Sequence, residues 1–171
     1  MSAVPPAAGP DLTGSPKPVR SELAVLGAAL EAWAEAGRVS RVSVEGESMR
    51  PLMLSGDRAL VAHGREGLRR GDVLAYQAVD PVVVHRLVGC QGDRLLLAGD
   101  NRPQLDSPVL PGAVLGRVVA LESGASLVAL DTVLARALGM AIAVLVPLCR
   151  RRGLRRLPRA LAAVAGWVLR R

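Results

Sequence analysis

Between residues 40 and 122 the chain alternates short runs of Val, Leu and Ala with Gly, Asp and Pro. Short apolar runs bounded by turn-forming residues are typical of β-strands, whereas a helix shows a longer run with a period of 3.6 residues. The predicted strands are 40–46, 57–62, 72–78, 81–90, 93–98 and 114–122. Strands at this spacing predict a mainly β fold, a compact antiparallel sheet or barrel.

A helical pattern precedes the strands at residues 21–37. Ser21 can cap the helix, and Glu22 lies in the first turn, where the helix dipole favours an acid. Gly37 can adopt the left-handed backbone conformation that commonly ends a helix. The apolar positions recur at helical spacing: Leu23, Leu26, Leu30 and Trp33. We therefore predict an amphipathic helix that docks on the β domain.

A second helical region follows the strands. Residues 132–149 are apolar apart from Arg136, and residues 157–171 form another apolar run that ends in arginine. The charge-free part, 137–149, would extend about 20 Å as a helix, less than the hydrocarbon core of about 30 Å. The pattern predicts a C-terminal helical hairpin that either lies in a membrane surface or packs on the β domain.

The N-terminal 20 residues contain neither a basic start nor an apolar stretch, so no cleavable signal peptide is predicted. Their Pro, Ala, Gly and Ser content is typical of a disordered tail, and the body is expected to face the cytoplasm. The predicted organisation is a tail at 1–20, a helix at 21–37, a catalytic β domain at 38–125 and basic, apolar helices at 126–171.

The net charge of +7 is concentrated in the C-terminal helices. Residues 126–171 contain nine arginines and a single acid, Asp131, whereas residues 1–125 contain 13 basic and 14 acidic groups. A basic segment beside apolar helices favours an anionic membrane surface as partner. Nucleic acid is not a predicted partner, because no base-stacking aromatic residues interleave the arginines.

The two cysteines lie far apart at positions 90 and 149, without metal-like or redox spacing. We predict that Cys90 and Cys149 are small buried hydrophobic residues. Two histidines in different surroundings and no cysteine cluster do not form a zinc site, so neither a metal nor another cofactor is predicted.

The stretch VEGESMRPLMLSGD (44–57) places one hydroxyl, Ser48, on a corner bounded by glycine and proline. A free serine is a weak nucleophile and needs a base within hydrogen-bond reach. The only lysine, Lys17, lies in the predicted tail, which leaves His63 in a predicted loop and His85 in an apolar strand. Alone, His85 would be interpreted as a satisfied core histidine.

Two carboxylates follow this histidine, in LLLAGDNRPQLDSPVL (95–110). Asp100 or Asp106 can hold the tautomer of His85 and stabilise its imidazolium form, as in other Ser-His-Asp systems. Asp100 also fits a turn aspartate that holds backbone amides.

Five segments occur in an order that resembles the signal peptidase I family and its relatives, the self-cleaving SOS and phage repressors. They are GESMRPLMLSGDRALV, GDVLAY, VVHRLVG, LLAGDNRPQLDS and VLGRVV, and they cover about residues 40–122. The resemblance implies a mostly β serine endopeptidase without a cofactor.

The resemblance also implies roles for individual residues. Ser48 carries over as the nucleophile, and the histidine in VVHRLVG matches the archaeal, endoplasmic-reticulum and sporulation-type branch, in which histidine replaces lysine as the base. In that branch the third member stands six positions after the GDN aspartate, which favours Asp106 over Asp100. Met49 and Leu52 are expected to line the substrate groove, and the substrate is expected to carry small residues near its cleavage site.

Three functions stay open. The favoured one is a membrane-associated, signal-peptidase-like protease, whose side of the membrane is not predicted because the chain shows no N-terminal spanning helix. A self-cleaving repressor-like regulator is the second, although residues 1–39 are too short for a helix-turn-helix module. The third is a non-catalytic peptide- or membrane-docking module on the same fold.

Overall fold

A computed structural model describes residues 35–78, 82–102, 104–151 and 156–170, together with Ala28, Ala32 and Trp33. Within this part of the chain the main feature is a seven-stranded antiparallel sheet, which confirms the predicted mainly β fold. The strands are β1 (Val39–Ser43), β2 (Arg58–His63), β3 (Val73–Gln77), β4 (Val82–Gln91), β5 (Arg94–Ala98), β6 (Val114–Ser123) and β7 (Ser126–Ala129). The helices α1 (Val133–Arg151) and α2 (Arg156–Leu169) follow them.

Strand β6 lies near the centre of the sheet. The hydrogen-bonded order is β1-β2-β6-β3-β4-β5, and β7 also pairs with β6. Consecutive strands β3, β4 and β5 form a meander. After β5 the chain crosses back, and β6 lies between β2 and β3 and pairs with both. As a result, β1 and β2 lie on one side of β6 and the meander of β3, β4 and β5 lies on the other.

The strand boundaries differ from the sequence-based ones at three places. Strand β1 ends at Ser43 rather than at residue 46, because the chain turns there into the Ser48 loop. His63, expected in a loop, is the last residue of β2 and pairs with Gly116. The sheet also continues beyond residue 125, since β7 pairs with β6 through a turn at Gly124.

The two C-terminal helices pack on each other and on the sheet, the second of the two arrangements predicted for them. A buried cluster joins side chains of β4 and β5 with both helices: Val88, Ala98, Ile142, Ala143, Val146, Ala162 and Ala165. Burying a side chain such as Ile142 contributes about 1.5–3 kcal/mol, and the small alanines allow close approach. No helix among the described residues is both long and apolar enough to cross a membrane.

The N-terminal predictions fall largely outside the described residues. Residues 1–20 lie entirely outside them, and within the predicted helix Ala28, Ala32, Trp33 and Glu35 have helical backbone. Gly37 follows with a φ of 60°, the left-handed conformation expected at a helix end.

The prediction that Cys90 is buried is wrong. Cys90 is exposed and free, because the buried stretch of β4 ends at Val88 and the strand continues outward to the Gly92 turn. The side chain of Cys149 lies outside the described part of the chain.

Candidate active site

Ser48 lies on a closed loop between β1 and β2. The Val44 amide donates to the Asp57 carbonyl at 2.9 Å, and the Gly56 amide donates back to the Val44 carbonyl at 3.0 Å. Within the loop Gly46 has a φ of 76°, a left-handed conformation that side chains other than glycine rarely adopt. These contacts hold a half-buried Ser48 on a fixed corner.

His85 reaches Ser48 from β4. The Nε2 atom of His85 lies 2.9 Å from the Ser48 Oγ, and its Nδ1 atom lies 2.5 Å from an oxygen of Asp106. A carboxylate only accepts hydrogen bonds, so Nδ1 carries the proton and donates to Asp106. In the neutral imidazole Nε2 then accepts a hydrogen bond from the Ser48 hydroxyl, which is the arrangement that general-base activation of a serine requires.

Asp106 is placed by the folding of loop 99–110 back onto β5. The Asp106 amide donates to the Leu97 carbonyl at 2.9 Å, and two isolated bridges join Ala98 with Leu105 and Leu95 with Val109. The structure therefore brings Ser48, His85 and Asp106 into one hydrogen-bonded chain.

Tyr76 is a fourth member of this chain that the sequence reasoning missed. Its hydroxyl donates to the same Asp106 oxygen at 3.0 Å. Burial, and then the negative charge and hydrogen bond of Asp106, raise the pKa of Tyr76 well above its ordinary value, so the phenol stays a donor. The signal was available, since the only tyrosine of the chain stands in a predicted strand and a buried phenol usually finds a partner.

Asp100 is not hydrogen-bonded to His85. Both of its oxygens accept from Arg86, at 2.8 Å from Nε and 2.6 Å from Nη2, in a buried bidentate pair. Arg86 also donates to the Gly71 carbonyl at 2.7 Å. Since neighbouring strand residues face opposite sides of a sheet, His85 faces Ser48 while Arg86 faces the opposite side. Asp100 thus supports the loop that carries Asp106.

The loop residues on either side of Asp100 contact the Ser48 corner directly. The Asn101 amide donates to the Ser48 carbonyl at 2.8 Å, and its side-chain Nδ2 donates to the Glu47 carbonyl at 3.1 Å. A methyl group added to Gly99 would lie 2.7 Å from the Ser48 carbonyl oxygen and 3.1 Å from His85 Nε2. Gly99, which the sequence reasoning did not single out, allows the two segments to meet.

Met49 and Leu52 lie in the core beneath the corner. Each side chain is 3% exposed, and both pack among the apolar residues of the sheet. Contact with substrate needs accessible surface, so this packing favours a structural role for both residues over the predicted groove-lining one.

The other histidine forms a separate Ser-His pair. His63 donates from Nδ1 to the Leu115 carbonyl at 3.1 Å, and its Nε2 lies 2.6 Å from the Ser40 Oγ. The ring of Trp33 meets His63 edge-on. These contacts join β1, β2 and β6, which explains His63 as a structural residue. Across the described residues, no three His, Cys, Asp or Glu side chains cluster in a way that would hold a metal ion.

A mainly β domain with a Ser-His-Asp chain on a glycine-bounded corner has the arrangement of a serine peptidase. Comparison with protein families agrees: the Peptidase S24-like family model matches residues 14–119. The chain belongs to the Peptidase S24-like family. No curated protein and no solved structure shows significant similarity to it.

The family match covers the Ser48 corner and β1 to most of β6, but neither of the C-terminal helices. It places the chain in the clan that unites repressors with signal peptidases, which agrees with the broader form of the sequence-based resemblance.

Proposed function

We propose that this protein is a serine endopeptidase in which Ser48 is the nucleophile, His85 the general base and Asp106 the orienting carboxylate. The observation that carries the proposal is the continuous hydrogen-bonded chain from Ser48 through His85 to Asp106. Membership of the Peptidase S24-like family supports it independently.

The reaction follows from the direction of these hydrogen bonds. Ser48 Oγ attacks the peptide carbonyl while His85 Nε2 takes its proton, and Asp106 stabilises the imidazolium that results. The tetrahedral oxyanion is held by backbone donors, for which the Ser48 amide is our candidate; one such donor typically contributes about 3–4 kcal/mol. His85 then protonates the leaving amine, and water activated by His85 hydrolyses the acyl-enzyme.

The substrate that we propose is a leader or signal peptide cleaved after small residues. The support is the histidine base on β4, which matches the histidine-using branch of signal peptidases, together with the motif order around Ser48 and Asp106. The finer assignment to signal peptidase rests on these motifs.

Substitution of the three residues tests the proposal. Ser48→Ala and His85→Ala should each abolish cleavage of a peptide reporter with small residues before the scissile bond, and Asp106→Asn should lower kcat by about 10³–10⁴-fold. Wild type, but not Ser48→Ala, should be labelled by a fluorophosphonate probe. Circular dichroism checks that each variant is folded. Unchanged turnover in a folded Ser48→Ala or His85→Ala variant would contradict the assignment. Absence of labelling in the wild type would also contradict it and would favour a non-catalytic docking module.

A self-cleaving regulator is the second candidate, and the family match favours it because the clan includes repressors. The same Ser48 chemistry would then act on a segment of its own chain. Intact-mass analysis after incubation at alkaline pH distinguishes the two: self-cleavage whose rate does not depend on protein concentration supports the regulator, and stable mass beside cleavage of an added peptide supports the peptidase.

We also propose that the C-terminal helices dock on an anionic membrane surface. Among the described side chains of these helices Arg136 is the exposed charged residue, and the other solvent-facing positions are apolar: Val133, Leu134, Ala137, Met140, Val144, Leu148, Ala160, Ala163, Val164 and Trp167. Val164 and Trp167 are 55% and 57% exposed. A contiguous exposed apolar face marks an interaction site, and the arginines of the segment are complementary to anionic lipid.

A further inference from the structure

The end of helix α2 makes polar contacts with the loop that carries Ser48. Arg170 donates from Nη2 to the Leu52 carbonyl at 2.7 Å and to an oxygen of Asp57 at 2.6 Å. Its Nη1 donates to the Ser123 hydroxyl at 2.8 Å. One guanidinium therefore joins α2, the end of β6 and two points of the Ser48 loop.

Asp57 links Arg170 to the backbone of the Ser48 loop. The Asp57 oxygen that accepts from Arg170 also accepts from the Leu54 amide at 2.9 Å, and the Asp57 carbonyl closes the loop through Val44. Asp57 is 5% exposed, and breaking a buried charge pair leaves an uncompensated charge. The pair thus fixes the segment of the loop that follows Ser48.

The backbone of α2 lies directly against the same corner. A methyl group added to Gly166 would come within 3.1 Å of the Pro51 carbonyl oxygen and 3.3 Å of the Leu52 amide nitrogen. The side chain of Leu169 packs against the cluster that contains Met49 and Leu52. Apolar and polar contacts of α2 therefore converge on residues 49–57.

From these contacts we infer that Arg170 is a positioning residue for Ser48, and that α2 completes the active site although it lies outside the family match. Arg170 does not touch the reacting atoms. It holds the loop so that the Ser48 hydroxyl meets His85 Nε2, since a misplacement of about 1 Å can cost about 10²-fold in rate. The inference rests on the proposed function of Ser48.

The test compares Arg170→Ala with Arg170→Lys in the full chain. The control for charge is Arg94→Ala, which alters an exposed residue of β5. We expect Arg170→Ala to lower kcat and the rate of fluorophosphonate labelling by about tenfold or more, and to change KM by less than about twofold. Arg170→Lys retains the charge but cannot reach all three acceptors at once, so it should fall between Arg170→Ala and wild type. Arg94→Ala removes an exposed charge and should stay within about twofold of wild type.

The assay temperature and a measurement of hydrogen exchange separate a positioning effect from a general loss of stability. All assays are run well below each variant's unfolding temperature, and hydrogen exchange of the amides in residues 49–57 should become faster in Arg170→Ala than in Arg94→Ala. If Arg170→Ala is too unstable to assay, Arg170→Lys alone decides through the same kcat and exchange measurements.

Two outcomes overturn different statements. A folded Arg170→Ala or Arg170→Lys variant with the labelling rate and exchange of wild type overturns the positioning role. A wild-type protein that is not labelled at Ser48 overturns the proposed function instead, so the two failures are distinguishable.

Discussion

At the scale of single residues, the site depends as much on a missing side chain as on the reactive ones. Ser48 and His85 belong to segments far apart in sequence, and they meet only because Gly99 leaves space between them. The hydrogen bond from the Asn101 amide to the Ser48 carbonyl then holds the two segments together. Gly99 therefore determines how closely the loop approaches Ser48.

Replacing Gly99 by alanine should damage activity more than stability. The added methyl group would lie 2.7 Å from the Ser48 carbonyl oxygen, so the corner must shift and kcat/KM should fall by about 100-fold. Gly89→Ala is the matched control, because nothing lies within 4 Å of its added methyl group. Peptide turnover and thermal unfolding of both variants check this, and equal activities would contradict it.

The residues that sequence could identify are those with reactive side chains. Counting possible bases and matching motifs needs only residue types and order, and this predicts Ser48, His85 and Asp106 as one set, whose side chains are hydrogen-bonded in the structure. Gly99 and the partnership of Arg86 with Asp100 could not be found in this way, because they depend on which segments touch. Met49 and Leu52 were placed in the groove because adjacency to Ser48 does not reveal which side of the loop is buried.

At the scale of elements, the contact between α2 and the Ser48 loop should contribute less to stability at acid pH. Burial alone would raise the pKa of Asp57, but hydrogen bonds from Leu54, Ser123 and Arg170, with the charge of Arg170, hold it below its ordinary value of 3.8. A carboxyl whose folded pKa is lowered stabilises the fold above its unfolded pKa, and this stabilisation is lost as the pH falls through the folded value.

The stability gap between wild type and Asp57→Asn should therefore narrow as the pH falls below about 4. Thermal unfolding of both proteins at pH 7, 4 and 3 measures that gap. Asp93→Asn, altered in an exposed turn, controls for the general loss of a carboxylate. A gap for Asp57→Asn that is the same at pH 7 and pH 3 would contradict the assigned contact.

The elements themselves were predicted well where the pattern is local and less well where pairing decides. The six predicted strands and both C-terminal helices are present, because alternation and turn residues are local signals. Strand β7 was missed because its four residues gain their structure by pairing with β6. The docking of α1 and α2 on β4 and β5 is likewise decided by tertiary packing, since Ile142 of α1 and Val88 of β4 belong to one buried cluster.

At the scale of the whole molecule, the C-terminal helices have two apolar sides. One side packs on the sheet through residues such as Ile142 and Ala165, and the other, with Met140, Val144 and Val164, faces solvent. Apart from the exposed Arg136, the described sides of both helices are apolar. Since a helix that is apolar on all sides is normally buried, we propose that the outer side is covered by a partner. We propose an anionic lipid surface as this partner, because the positive charge of residues 126–171 is complementary to it.

Val164→Glu should therefore weaken binding to vesicles by at least about tenfold, because it introduces a charge into the proposed lipid-facing side. Flotation with phosphatidylglycerol-containing vesicles measures the bound fraction, and pure phosphatidylcholine vesicles should bind less of the wild type.

The control for this substitution is Leu127→Glu, which alters another exposed apolar residue, on β7, and should bind like wild type. In a Trp33→Phe background only Trp167 fluoresces, so vesicle binding should shift its emission to the blue. Equal binding of Val164→Glu and wild type would contradict the membrane surface. Sedimentation as a dimer that Val164→Glu dissociates would instead identify a second copy of the chain as the cover, and the active site would then belong to a dimer rather than to a membrane-bound monomer.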